Sequence, residues 1–121
     1  TSASAAVFRL SSKSHWDVPV RIGERTLRLF CSHPTPPVFD GPMDEHGRRN
    51  HDELRFWADY LTGDDAAAWI RDDEGVPGGD ARDTPFVILG DLNSDPVKSD
   101  ATYGRRPIAW VLEHPRVFDP R

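Results

Sequence analysis

The stretch PFVILGDLNSDP, residues 85–96, decides how the rest of the chain is read. Residues 86–89 are four consecutive apolar side chains between Pro85 and Gly90. That pattern predicts a short central strand covered on both faces. Past its end, Asp91 and Asn93 lie two positions apart, so extended backbone sends both side chains the same way while Leu92 points to the core. Gly90 lets another group come close to the backbone. The geometry suits holding one small polar species. A carboxylate orients or deprotonates a water, and an amide donates to a phosphate oxygen. Asp and Asn also bond their own backbone in turns, so a purely structural turn remains the rival reading.

Working upstream, residues 16–22 and 25–32 alternate in polarity around Gly23 and Glu24, which predicts a β-hairpin. Val18, Val20 and Ile22 share one face, and Leu27, Leu29 and Cys31 are expected inside. Pro19 suits an edge strand. Residues 5–12 are a further candidate strand. His33 follows the second hairpin strand, where it is placed for proton transfer or for donating to a phosphate oxygen. Residues 33–42 carry four prolines and read as a stiff loop. Asn50 and Glu53 have capping-box spacing. Leu54, Trp57, Ala58 and Leu61 then recur at helical period, which predicts a helix over 50–61 ended by Gly63. Residues 66–71 suggest a short helical turn, 72–83 an acidic surface loop, 107–113 a helix with Pro107 in its first turn, and 116–118 a short strand. This mixture indicates an α+β fold.

The 121 residues suffice for one domain, and 37% apolar with 29% charged residues marks a globular chain. A net charge of −5 argues against a broad basic face for duplex DNA. One cysteine, Cys31, excludes an internal disulfide and reads as a small buried hydrophobe. No run has the length of a membrane helix. Weaker candidates surround the main ones. His46, Arg48, Arg49 and His51 cluster near the predicted helix start, where an Arg could clamp a phosphate, although a solvated cap explains them as well. Trp16, after Ser14 and His15, could stack on a ring or simply pack in the hairpin.

Taken together, these segments resemble the endonuclease/exonuclease/phosphatase superfamily, with its deoxyribonuclease I-like fold. VILGDLNSDP resembles its Gly-Asp-x-Asn signature, LRLFCSHPTPP its strand ending in histidine, and GRRNHDELRFWADYL its helix carrying an Arg ahead of an apolar face. The order of segments matches too, and SSKSHWDVPV with SHPTPPVFDGP looks like a bacterial branch. The resemblance implies part of a four-layer α/β sandwich, two packed β-sheets flanked by helices. It implies Mg²⁺- (or Mn²⁺-) dependent phosphoester hydrolysis, on nucleic acid, phospholipid or a small molecule. Asp91 would orient and activate the attacking water. Asn93 would contact the phosphate, and His33 would stabilise its charge or assist the leaving group. Arg49 and Trp16 are the weaker substrate-binding candidates.

Two expected parts have no counterpart. No Glu upstream of His33 suits a metal, since Glu24 sits in the hairpin turn, and Glu113 with His114 reads as a helix end. The chain is therefore expected to be an internal piece of one domain, residues 1–121, inactive by itself, with its metal-binding Glu elsewhere. A second expectation is a non-catalytic binding domain that keeps the fold. Exposed sheet edges make self-association a further expectation.

Overall fold

The computed structural model describes residues 8–39, 41–80 and 84–121. Strands β1 (His15–Ile22) and β2 (Arg25–Ser32) form the expected hairpin, in register from His15 opposite Ser32 to Ile22 opposite Arg25. Gly23, at φ 62, takes the first position of the two-residue turn, where a side chain would be strained. The chain then crosses through helix α1 (Glu45–Thr62) and returns as β3 (Phe86–Leu89), parallel to β2. The described sheet has the order β1-β2-β3, with β1 at an edge, as Pro19 suggests. A 3-10 turn at Asp64–Ala67 and the short helix α2 (Ala109–Leu112) complete the regular elements. A βαβ crossover is thus joined to a hairpin, consistent with the α+β expectation.

The helix holds the sheet through aromatic rings. Phe30, fully buried on β2, lies between Trp57 of α1 at 5.2 Å and Phe86 of β3 at 5.1 Å, both nearly parallel to it. Leu54 and Leu61 extend this core along α1, and Ile108 and Val111 close it from the α2 side. The Trp57 indole N–H finds its partner in the Ser32 hydroxyl at 2.9 Å, which satisfies the one polar atom such a ring buries.

Several expectations need correction. The helix packs on the Phe30 face of the hairpin, not on the face of Leu27, Leu29 and Cys31. The alternation misleads because Arg28 and Asp17, which mark the Phe30 face as polar, cancel one another. Arg28 Nε lies 2.7 Å and Nη2 2.6 Å from the Asp17 carboxylate, and the Tyr60 hydroxyl also donates to Asp17. Burial, reinforced by the Asp17 carboxylate it bonds, pushes the Tyr60 hydroxyl far above its ordinary range and keeps it a donor. Consequently Cys31 is only partly buried, and β3 is covered on one face alone, with Val87 and Leu89 on the open side beside Trp16, Val18 and Ile22.

The helix also starts earlier than its spacing suggests. Its N-cap is Asp44, so Asn50 and Glu53 form no capping box and lie buried in its middle. Gly63 ends it as expected, at φ 69 with its N–H on the Asp59 carbonyl. Residues 8–12 are not a strand, and residues 5–7 of that expected strand fall outside the described residues. Residues 116–118 are likewise irregular, because Arg116 turns back to donate to the Leu61 and Asp80 carbonyls.

Candidate functional site

The parallel pairing of β2 and β3 builds the site. Its last pair is Cys31 opposite Leu89. Just past that pair both strands end, and His33 and Asp91 follow in the segments that leave them. Gly90 lets the two strand ends lie close together. At φ 140 it is in a region reserved for glycine, and a Cβ there would lie 1.9 Å from the Ser32 carbonyl oxygen. The close backbone approach expected at Gly90 is thus made by β2 itself.

Beyond Gly90 the chain turns sharply. The exposed Asp91 carboxylate accepts the Asn93 N–H at 3.0 Å, and Asn93 sits at φ 51. The Asn93 side-chain amide donates to the Pro34 carbonyl at 3.0 Å, in the loop that follows His33. The turn and the His33 loop are therefore bonded to each other. His33 itself is exposed, and its carbonyl receives the Lys13 ammonium at 3.3 Å, which brings a cation to the strand ends.

Three residues behind this edge were not recognised as site residues from the sequence. The Asn50 amide donates to the Thr35 carbonyl at 3.0 Å and the Leu92 carbonyl at 3.1 Å, and it lies 3.4 Å from that of Asn93. Glu53, buried one turn later, accepts the Thr35 N–H and hydroxyl on one oxygen and the Ser12 N–H and hydroxyl on the other. Four donors satisfy its carboxylate, as a buried charge requires. Lys13 is the third, and its only sequence signal was being one of two lysines. Polar residues on the apolar face of a predicted helix were the available signal for Asn50 and Glu53.

The weaker candidates are placed differently. Arg49 donates to the Arg9 and Leu10 carbonyls and stacks its guanidinium on Phe8 at 5.3 Å, so it straps residues 8–10 to α1. Trp16 is 60% exposed on the open face of the sheet, opposite Cys31. His15 is a packing residue. Its Nε2–H donates to the Glu53 carbonyl at 2.8 Å, its ring lies on Phe56, and burial lowers its pKa. His51 is buried, accepts the Trp110 indole N–H at 2.9 Å and so carries its own proton on Nδ1, toward Asp52. A groove of about 1220 Å³ opens between residues 8–18, α1 and residues 69–79, but His33, Asp91 and Asn93 do not line it. The strand ends carry a carboxylate, an amide and, in the neighbouring loop, a histidine.

No group of three or more His, Cys, Asp and Glu side chains comes together among the described residues in a way that could hold a metal ion. Asp91 presents an exposed carboxylate just past the end of β3; Mg²⁺ takes one or two such protein carboxylates and completes its shell with water and substrate oxygens.

The fold and the strand-end site together define an α+β domain whose polar groups gather at the carboxyl ends of parallel strands. The chain belongs to the endonuclease/exonuclease/phosphatase family, whose model matches residues 6–112. Family membership makes phosphoester hydrolysis the kind of activity concerned, generally with a divalent metal. No curated protein and no solved structure matches the chain.

Proposed function

We propose that this chain carries the His33, Asp91 and Asn93 portion of the active site of a Mg²⁺-dependent phosphoester hydrolase. The observation that supports the reading is the bond from the Asn93 amide to the Pro34 carbonyl, which ties the 91–93 turn to the loop that starts at His33. Asp91 is exposed and spends one oxygen on the Asn93 N–H, leaving the other to accept a proton from an attacking water. Of the two hydrogens on the Asn93 amide, one goes to Pro34 and the second is a donor for a phosphate oxygen. His33 donates to phosphate oxygen or to the leaving group.

The open apolar face of the sheet supports the four-layer part of the reading. Trp16, Ile22, Val87 and Leu89 are all at least 40% exposed there, a patch that suits packing on a second sheet. A second copy of the chain could take the same seat. The substrate is a phosphoester, and the net charge of −5 favours small phosphoesters or lipid headgroups over long polyanions.

One observation favours a second reading, a binding domain that keeps the fold. Both Asp91 and Asn93 make hydrogen bonds of the kind a structural turn uses, Asp91 to the Asn93 N–H and Asn93 to the Pro34 carbonyl. Asp91→Asn separates the two. It keeps an acceptor for the Asn93 N–H and removes the base. On the full-length gene product, hydrolysis of bis(p-nitrophenyl) phosphate and p-nitrophenyl phosphate is measured with and without Mg²⁺. The hydrolase reading expects Mg²⁺-dependent turnover that falls at least about 100-fold in Asp91→Asn, within the range general bases contribute, at an unchanged melting temperature. Equal turnover in both proteins, or none in the wild type, refutes it.

A further inference from the structure

We propose that Asn50 is the positioning residue of this site, the side chain that fixes the loop after His33 against the 91–93 turn. The inference rests on the hydrolase reading and names a residue outside the His33, Asp91 and Asn93 set. Asn50 is fully buried in the middle of α1, on the face that packs against the sheet. Its amide nitrogen bridges two chain segments distant in sequence. One is the proline loop, through Thr35, two residues after His33. The other is the 91–93 turn, through Leu92 and Asn93.

The amide orientation is unambiguous, because turning it over would aim its oxygen at those carbonyls. Its oxygen, meanwhile, is buried and without a hydrogen-bond partner among the described residues. An amide that leaves one polar atom unpaired adds little to stability compared with an apolar side chain of the same size. What it adds is position. It draws the carbonyls of Leu92 and Thr35 onto one NH₂ group, while Glu53 holds Thr35 from its N–H side. The helix therefore dictates where the His33 loop and the Asp91 turn meet. Neither segment could slide without breaking a bond that Asn50 makes to its carbonyl.

The test is Asn50→Leu in the full-length gene product, with Leu61→Ala as a control at the other end of the same helix core. Both variants are assayed on bis(p-nitrophenyl) phosphate, well below their melting temperatures, and amide exchange is followed at Thr35 and Asn93. A displacement on the order of 1 Å at a reacting group costs about 100-fold in rate. The expected result is a kcat loss of that order in Asn50→Leu, with KM nearly unchanged and faster exchange at both amides. Leu61→Ala should keep its kcat despite lost stability. Asn50→Ser, which keeps one donor, is read by the same criterion if Asn50→Leu does not fold. Wild-type kcat in the Asn50 variants, or an equal loss in Leu61→Ala, overturns the positioning role and leaves the hydrolase reading standing. A wild type without turnover overturns both.

Discussion

Gly90→Ala tests the contact on which the site depends. The perturbation adds one methyl group, and its position is known: 1.9 Å from the Ser32 carbonyl oxygen and 3.1 Å from its carbon. These are backbone atoms of β2, so no side chain can swing aside. Two costs add. Holding a Cβ at a φ that only glycine adopts costs about 1–3 kcal/mol, and forcing the strands apart costs about 1–3 kcal/mol more. The sum is a large part of the roughly 5–15 kcal/mol that keeps a domain folded.

Gly75→Ala isolates the first cost, since Gly75 also has positive φ, at 81, but nothing lies within 4 Å of the point a Cβ would occupy. The assay is thermal unfolding of both variants, read beside the amide exchange of β3. Gly90→Ala should melt at least about 5 °C below Gly75→Ala, given the few degrees per kcal/mol expected for a chain of this size. Its exchange should rise first at residues 86–92. If the two variants melt together, Ser32 does not press on Gly90 and the close approach of the β2 and β3 ends loses its basis.

Two further outcomes are expected. Arg28→Ala leaves the Asp17 carboxylate, 15% exposed, with only the Tyr60 hydroxyl; partial solvent screening reduces the cost of a broken buried pair to about 2–3 kcal/mol, measurable by urea unfolding. Replacing both Asp17 and Arg28 by Leu should recover most of that loss, and a double variant no better than Arg28→Ala refutes the pairing argument. His15 is held below the ordinary histidine value of 6.5 mainly by burial, so the unfolded chain binds its proton first as pH falls. Its contribution to stability is complete above about pH 6.5 and is lost on acidification toward the lowered folded value. His114 is also lowered by burial and acts in the same direction. Urea midpoints from about pH 8 to about pH 5 should fall, and His15→Gln should flatten the slope; an unchanged slope assigns the effect elsewhere.

The sequence by itself determined the hairpin, the long helix and the strand after it, in that order, while its expected strands at 8–12 and 116–118 are irregular. Alternation around Gly23 marks a hairpin because a two-residue turn needs positive φ and strand side chains repeat every second residue. The spacing of Leu54, Trp57, Ala58 and Leu61 marks a helix for the corresponding reason. That His33 and Asp91 follow strand ends was legible as well, since each comes just after an apolar run. What the tertiary structure decided is which faces and atoms meet. Local periodicity cannot show that Arg28 and Asp17 neutralise each other, so it put Leu27, Leu29 and Cys31 inside, whereas the helix packs on the Phe30 face. It could not show that α1 begins at Glu45, because Asn50 and Glu53 imitate a cap. Nor could it show that Asn50 bonds Thr35 and Leu92 or that Gly90 lies against Ser32. Those contacts join residues far apart in the chain, and only the packed backbone brings a donor within reach of its acceptor.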